Sequence, residues 1–198
     1  MTTTNPPSRA ASIVTEVCSP AVVVVLLPLA VAWHATGHQF GATVLWGLVV
    51  AVFSSVLPMA FIVRGARLGR WDGHHVRNRD GRTVPLLLCL ASTALGLAIL
   101  LFGQAPRDVT ALDVAMLVTL FACAIVTRWW KISLHSAVAG GAVAMVVLLY
   151  GPLLLLLTPF VVLIGWSRVA VGDHTVGQVI AGALIGPILG GAVFLLVR

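Results

Sequence analysis

Seven apolar runs, each cut off by a short charged or glycine-bearing segment, fill most of this 198-residue chain. They are Ile13–Trp33, Ala42–Val63, Pro85–Gly103, Ala111–Trp130, Ser136–Tyr150, Pro152–Trp166 and Thr175–Val197. A run of about 20 apolar residues is what an α-helix needs to cross the hydrocarbon of a bilayer. With no water there to satisfy N–H and C=O groups, a helix closes its own hydrogen bonds. Composition points the same way. Hydrophobic residues make up 60% of the chain and charged residues 9%, with a mean hydropathy of +1.07. Soluble domains carry about a quarter charged residues, and a water-soluble globule of this size has no means of hiding so much apolar surface. A soluble enzyme and a disordered chain are both excluded. The expected fold class is all-α: a polytopic integral membrane helix bundle of six to seven transmembrane helices with its active site at one membrane face. Residues 13–198 are expected to form one membrane-embedded domain behind a polar, flexible tail over 1–12. The first run is too long for a signal-peptide core and reads as a retained helix.

Charge decides orientation and partner. Lys and Arg total 12 against 6 Asp and Glu, a net +6. The basic residues lie between apolar runs, so anionic lipid rather than nucleic acid is the expected partner. With seven crossings, Arg9, Arg64, Arg67, Arg70, Arg77, Arg79, Arg82, Arg128, Lys131 and Arg168 fall on one side, and Arg107 and Arg198 on the other. The positive-inside rule puts the richer side in the cytoplasm of a multi-pass plasma-membrane protein. Arginines kept for chemistry would contaminate that signal. Trp33, Trp71, Trp129, Trp130 and Trp166 sit at helix ends, as interfacial tryptophans do. Cys18, Cys89 and Cys123 have neither zinc-site nor disulfide spacing and read as core or lipid-facing thiols. Gly182, Gly186 and Gly190 form a small-xxx-small row suited to close helix packing.

Ionisable groups are costly inside a membrane and mark functional regions. Three segments hold most of them: Arg70–Arg82, Arg128–His135 and Ser167–Gln178. Two apolar runs separate the first from the second, and two more separate the second from the third. An even number of crossings returns the chain to the same face, so all three segments can meet at one surface. They bring arginines, a lysine, a serine and histidines with few carboxylates. Arginine forks match phosphate oxygens, and histidine can serve as nucleophile or general acid. Scarce carboxylates argue against a magnesium site. The set reads as metal-independent phosphoryl chemistry on a lipid, with no cofactor.

These residues resemble the type 2 phosphatidic acid phosphatase superfamily of membrane lipid phosphatases. That family carries Lys, six residues, Arg-Pro; then Pro-Ser-Gly-His; then Ser-Arg, five residues, His, three residues, Asp. Here the third motif is Ser167-Arg168, five residues, His174, with Gln178 at the aspartate position. The second is Ile132-Ser133-Leu134-His135, and the first is His75, six residues, Arg82-Thr83. The resemblance implies that His174 attacks phosphorus to form a phosphohistidine and that His135 protonates the leaving lipid oxygen. It implies that Arg82, Arg168 and Ser133 hold the phosphate and that His75 stands for the phosphate-binding lysine, with Lys131 or Arg79 compensating. Gln178 would orient His174 without supplying the aspartate's charge.

Other residues have plainer readings. Arg64, Arg67 and Arg70 read as headgroup or topology charges. His74 and His75 lack partners at metal-ligand spacing. His34 and His38 read as loop residues of the opposite face, and Asp108 and Asp113 as helix-start residues there. Asp72 and Asp80 are expected to pair with nearby arginines, and Asp173 is not expected to face the His174 ring. The expected function is a lipid phosphatase acting on a phosphate monoester or diphosphate, with prenyl or polyprenyl phosphates and prenyl-linked sugar phosphates favoured. A phosphatidic acid or phosphatidylglycerol-phosphate type glycerolipid phosphatase is the near alternative. A non-hydrolytic lipid-phosphate binder with a degraded site is the alternative from another class. Clustering of polar groups at one face argues against a transporter, which places them near the midplane. Self-association as a homo-oligomer stays open.

Overall fold

A computed structural model describes residues 8–71 and 80–198. These residues form α-helices joined by short turns, with no strand among them. Helix α1 (Arg9–Val17) is capped by the Ser8 hydroxyl, which accepts from the Ala11 N–H. It therefore starts four residues ahead of Ile13, and residues 9–12 of the expected tail are helical. The chain then breaks at Cys18–Ser19, and Pro20 starts α2 (Pro20–Ala35), a position where its missing N–H costs nothing.

Helix α3 (Phe40–Ala51) continues through a π-turn at Val52–Val56 into α4 (Leu57–Arg67). Pro58 cannot donate to a carbonyl in the preceding turn, and the helix widens there. The Phe53 carbonyl inside this turn accepts from Ser92, and Ser55 donates to the Ala21 carbonyl. Helices α5 (Thr83–Phe102), α6 (Arg107–Thr127) and α7 (Leu134–Tyr150) follow. Gly151, at φ 104°, makes the turn into a 3-10 segment (Pro152–Leu157) that leads to α8 (Thr158–Ala170). Helix α9 (Val176–Ile185) widens into a second π-turn at Gly186–Gly190, again around a proline, and ends in α10 (Gly191–Val197).

Among the described residues, six helical segments are long and apolar enough to cross a membrane. Helix α7 is shorter at 17 residues. Its course is fixed at both ends: the Ser133 N–H ties its start to the Gln178 carbonyl in the first turn of α9, and the Tyr150 hydroxyl closes it by donating to the Ala30 carbonyl near the end of α2. It crosses the bundle as well, and the protein is a multi-pass all-α bundle. At the end away from the basic segments, Arg107 donates to the Val197 carbonyl, and Arg198 pairs with Asp108 at the start of α6. His34 lies there edge-on to Tyr150, and His38 beside Trp33.

Helix α7 lies at the centre, against α2, α8 and α9. The glycine row carries the α7–α9 contact. A Cβ on Gly182 would collide with the Ser133 carbonyl, and one on Gly186 with the Ala137 carbonyl. At Gly190 the nearest atom would be the Thr119 hydroxyl at 3.2 Å. Replacing Gly186 by leucine is expected to lower stability by about 1–3 kcal/mol through overpacking, read as a lower melting midpoint in detergent. Gly177→Ala, where the nearest atom to a new Cβ is at 3.9 Å, is the tolerated control.

Candidate functional site

Three helix N-termini gather at the basic end: α5 behind Arg82, α7 behind Ser133 and α9 behind Thr175. Their positive ends favour an anion. The α7 and α9 ends are tied directly, since the Ser133 N–H donates to the Gln178 carbonyl at 3.3 Å. Arg82, His135, Arg168 and His174 line one cavity. All four are buried, Arg168 with only 1% of its surface exposed.

The orientation of His174 follows from unambiguous donors. The Thr175 N–H donates to Gln178 Oε1 at 3.2 Å as part of a capping box. The same oxygen lies 3.2 Å from His174 Nδ1. A backbone N–H can only donate, so the atom it meets is the amide oxygen. His174 must then carry its proton on Nδ1, which leaves Nε2 with the lone pair. Burial pushes the His174 pKa down, and the neighbouring Arg82, Lys131 and Arg168 push it further; the Gln178 bond opposes them. The result is about 4 instead of 6.5. At neutral pH the ring is uncharged and nucleophilic.

Arg168 is held by Asp173, whose carboxylate accepts from its Nη2 in a buried ion pair. Lys131 donates from Nζ to the Asp173 carbonyl, so its ammonium is brought to the loop before His174. Arg82 reaches the Ile132 carbonyl at 3.4 Å, next to Ser133. The Ser133 hydroxyl caps α7 and lies 3.0 Å from that of Ser136. Helix α1 is fastened to this end by the Thr15 hydroxyl, which donates to Ser167 at 3.1 Å, and Glu16 stands on the cavity rim.

The sequence-predicted set therefore divides as follows. His174, His135, Arg82 and Arg168 share the cavity, with Gln178 bonded to His174. Ser133 and Lys131 lie in the adjoining loop. His75 and Arg79 lie outside the described residues, as do His74, Arg77 and Asp72. The pairing expected of Asp80 involves a side chain that is also outside them. Asp173 engages Arg168 rather than the His174 ring. Its role as a brace was not read from sequence, although an acid five residues after a motif arginine, across a tight turn, is a signal for one.

Asp113 corrects an expectation. It does not start a helix: Asp108 occupies the first turn of α6, and Asp113 lies further along, fully buried, accepting from the Ser54 hydroxyl at 3.1 Å. Cys89 and Cys123 line the cavity as free thiols. Comparison with known protein families, with characterised proteins and with solved structures gives no match for this chain.

Two measurements check this geometry. Asp173→Ala strands the buried Arg168 charge and is expected to cost about 3–5 kcal/mol of stability, seen as a lower melting midpoint. NMR titration of labelled histidines should find His174 neutral at pH 6 and half protonated only near pH 4. Between about 6.5 and 4 the unfolded chain binds a proton that the folded chain refuses, so stability falls as pH drops through that window. His174→Gln removes that part of the slope.

Proposed function

We propose that this protein is an integral membrane phosphatase that removes phosphate from a lipid phosphate or diphosphate, with no metal taking part. The reading rests on one observation above the others: a neutral, tautomer-fixed histidine faces a buried cavity shared with two arginines and a second histidine, at the end of a membrane bundle. It rests also on the resemblance of the three ordered motifs to the type 2 phosphatidic acid phosphatases.

The chemistry balances as two displacements. His174 Nε2 attacks phosphorus, and the bond from phosphorus to the lipid oxygen breaks as the new N–P bond forms. His135 gives its proton to the departing oxygen. Water then attacks the phosphohistidine, passing a proton to His135, and the N–P bond breaks to release inorganic phosphate. Arg82 and Arg168, with the α7 and α9 N-termini, stabilise the charge gathered on the equatorial oxygens. Lys131 adds a cation where the first motif has histidine in place of lysine. Prenyl-type lipid phosphates are the favoured substrates, with the site opening to the cytoplasm, because the basic residues cluster there. One observation favours a second reading, a non-hydrolysing lipid-phosphate binder: Gln178 is neutral where the family has a carboxylate.

The test is phosphate release by detergent-purified protein in EDTA, from a prenyl phosphate, a prenyl diphosphate and phosphatidic acid. Release is expected to vanish in His174→Ala and to fall by about 10²–10⁴ in His135→Ala. Equal residual release from wild type and His174→Ala would overturn the enzyme reading. The rate should stay flat down to about pH 5 and fall towards pH 4 as His174 takes up a proton. Gln178→Glu puts a negative charge on Nδ1–H and should move that limb upward by about 1–3 pH units.

A further inference from the structure

The cavity that holds Arg82, His135, Arg168 and His174 does not end at the membrane face. It runs inward between α2, α6 and α7 and is lined at depth by Leu27, Leu112 and Met145. Met145 lies ten residues along α7 from His135. At about 1.5 Å per residue this is roughly 15 Å of depth, half of a hydrocarbon core of about 30 Å. At its inner end Leu27, Leu112 and Met145 are buried and pack in one apolar cluster with Val31, Ala115 and Phe194. The volume is about 260 Å³, below the range of about 300–1,000 Å³ that takes a drug-sized molecule. Such a length and volume admit one hydrocarbon chain and not two side by side.

We propose that this cavity is a chain-binding chamber that takes a single linear hydrocarbon tail, about one leaflet long, with its phosphate at the Arg82–Arg168 end. The inference rests on the phosphatase reading for the fate of the phosphate, but not for binding. It narrows the ligand to a phosphate on one chain that ends inside the bundle, saturated or isoprenoid. Two-chain glycerolipids and very long polyprenols exceed the chamber's width and length.

The test is photolabelling of the wild-type protein with dodecyl phosphonate bearing a diazirine at the chain terminus. The phosphonate resists hydrolysis, so labelling reads binding alone. Labels are expected on Leu27, Leu112 or Met145, displaced by excess dodecyl phosphate and by a prenyl phosphate of matching length, and the stronger of the two competitors separates alkyl from isoprenoid ligands. Labels confined to bilayer-facing Phe121 and Leu184 would overturn the proposal, and so would equal displacement by dioleoyl phosphatidic acid or by dodecanol. Chamber labelling without phosphate release in the EDTA assay would leave the chamber standing and remove the enzyme reading. As a second check, Ala115→Phe narrows the deep end. It should weaken competition by dodecyl phosphate about tenfold while leaving that by octyl phosphate unchanged; equal weakening of both would count against the chamber.

Discussion

The close approach of α7 and α9 is the contact on which the site depends. Gly182 and Gly186 let the α9 backbone lie directly on the Ser133 and Ala137 carbonyls. In hydrocarbon there is no hydrophobic force to draw helices together, so backbone proximity and van der Waals contact carry their association. The geometry then propagates to the end of the pair. With the axes this close, the N-terminal turn of α9 reaches the N-terminal turn of α7, and the Ser133 N–H meets the Gln178 carbonyl. His135 and His174, separated by 39 positions in sequence, thereby face one cavity. The glycine row serves packing, as a small-residue stripe normally does, but the packing sets the distance between the two histidines.

The same cations that make the cavity attractive to an anion tune the histidine within it. Arg82, Arg168 and Lys131 each oppose protonation of His174, and burial opposes it more strongly. An empty site therefore keeps His174 neutral. A bound phosphate would cancel part of that field. Buried arginine is expensive in its own right, and the fold meets the cost locally, with the Asp173 carboxylate against Arg168 and the Ile132 carbonyl against Arg82.

Much of this was legible in the sequence. The seven runs and the parity that returns the second and third polar segments to one face follow from spacing, while the choice of Arg82, His135, Arg168 and His174 within those segments follows from the motif resemblance. Parity needs only the count of crossings, and it tolerates helix boundaries that are wrong by several residues. Asp113 was misread because an acid near the start of an apolar run looks like a cap. Its partner Ser54 lies inside the π-turn at Val52–Val56, 59 positions away in sequence, and that turn has no periodicity signal. The start of helix α1 at Arg9 is masked by the polar residues that precede it, and the chamber is hidden by its nature. A void is a property of how several helices meet, and no single run of residues records it.

Gln178 shows how a neutral group can do one half of an acid's work. In a histidine–carboxylate pair the acid fixes the tautomer and also stabilises the imidazolium that forms. Here the Thr175 N–H fixes the amide, and the amide fixes the ring. Orientation is kept and charge is not. On the proposed phosphatase reading, the missing charge would matter in one step more than in the other. Attack on phosphorus would make the ring positive in a field already crowded with cations, so the N–P intermediate would be raised in energy. The same instability would make His174 a better leaving group when water arrives. A glutamine at this position would thus shift the difficult step towards formation of the phosphohistidine, and a bound phosphate, by offsetting Arg82, Lys131 and Arg168, would supply the negative charge that the ring does not receive from its own partner.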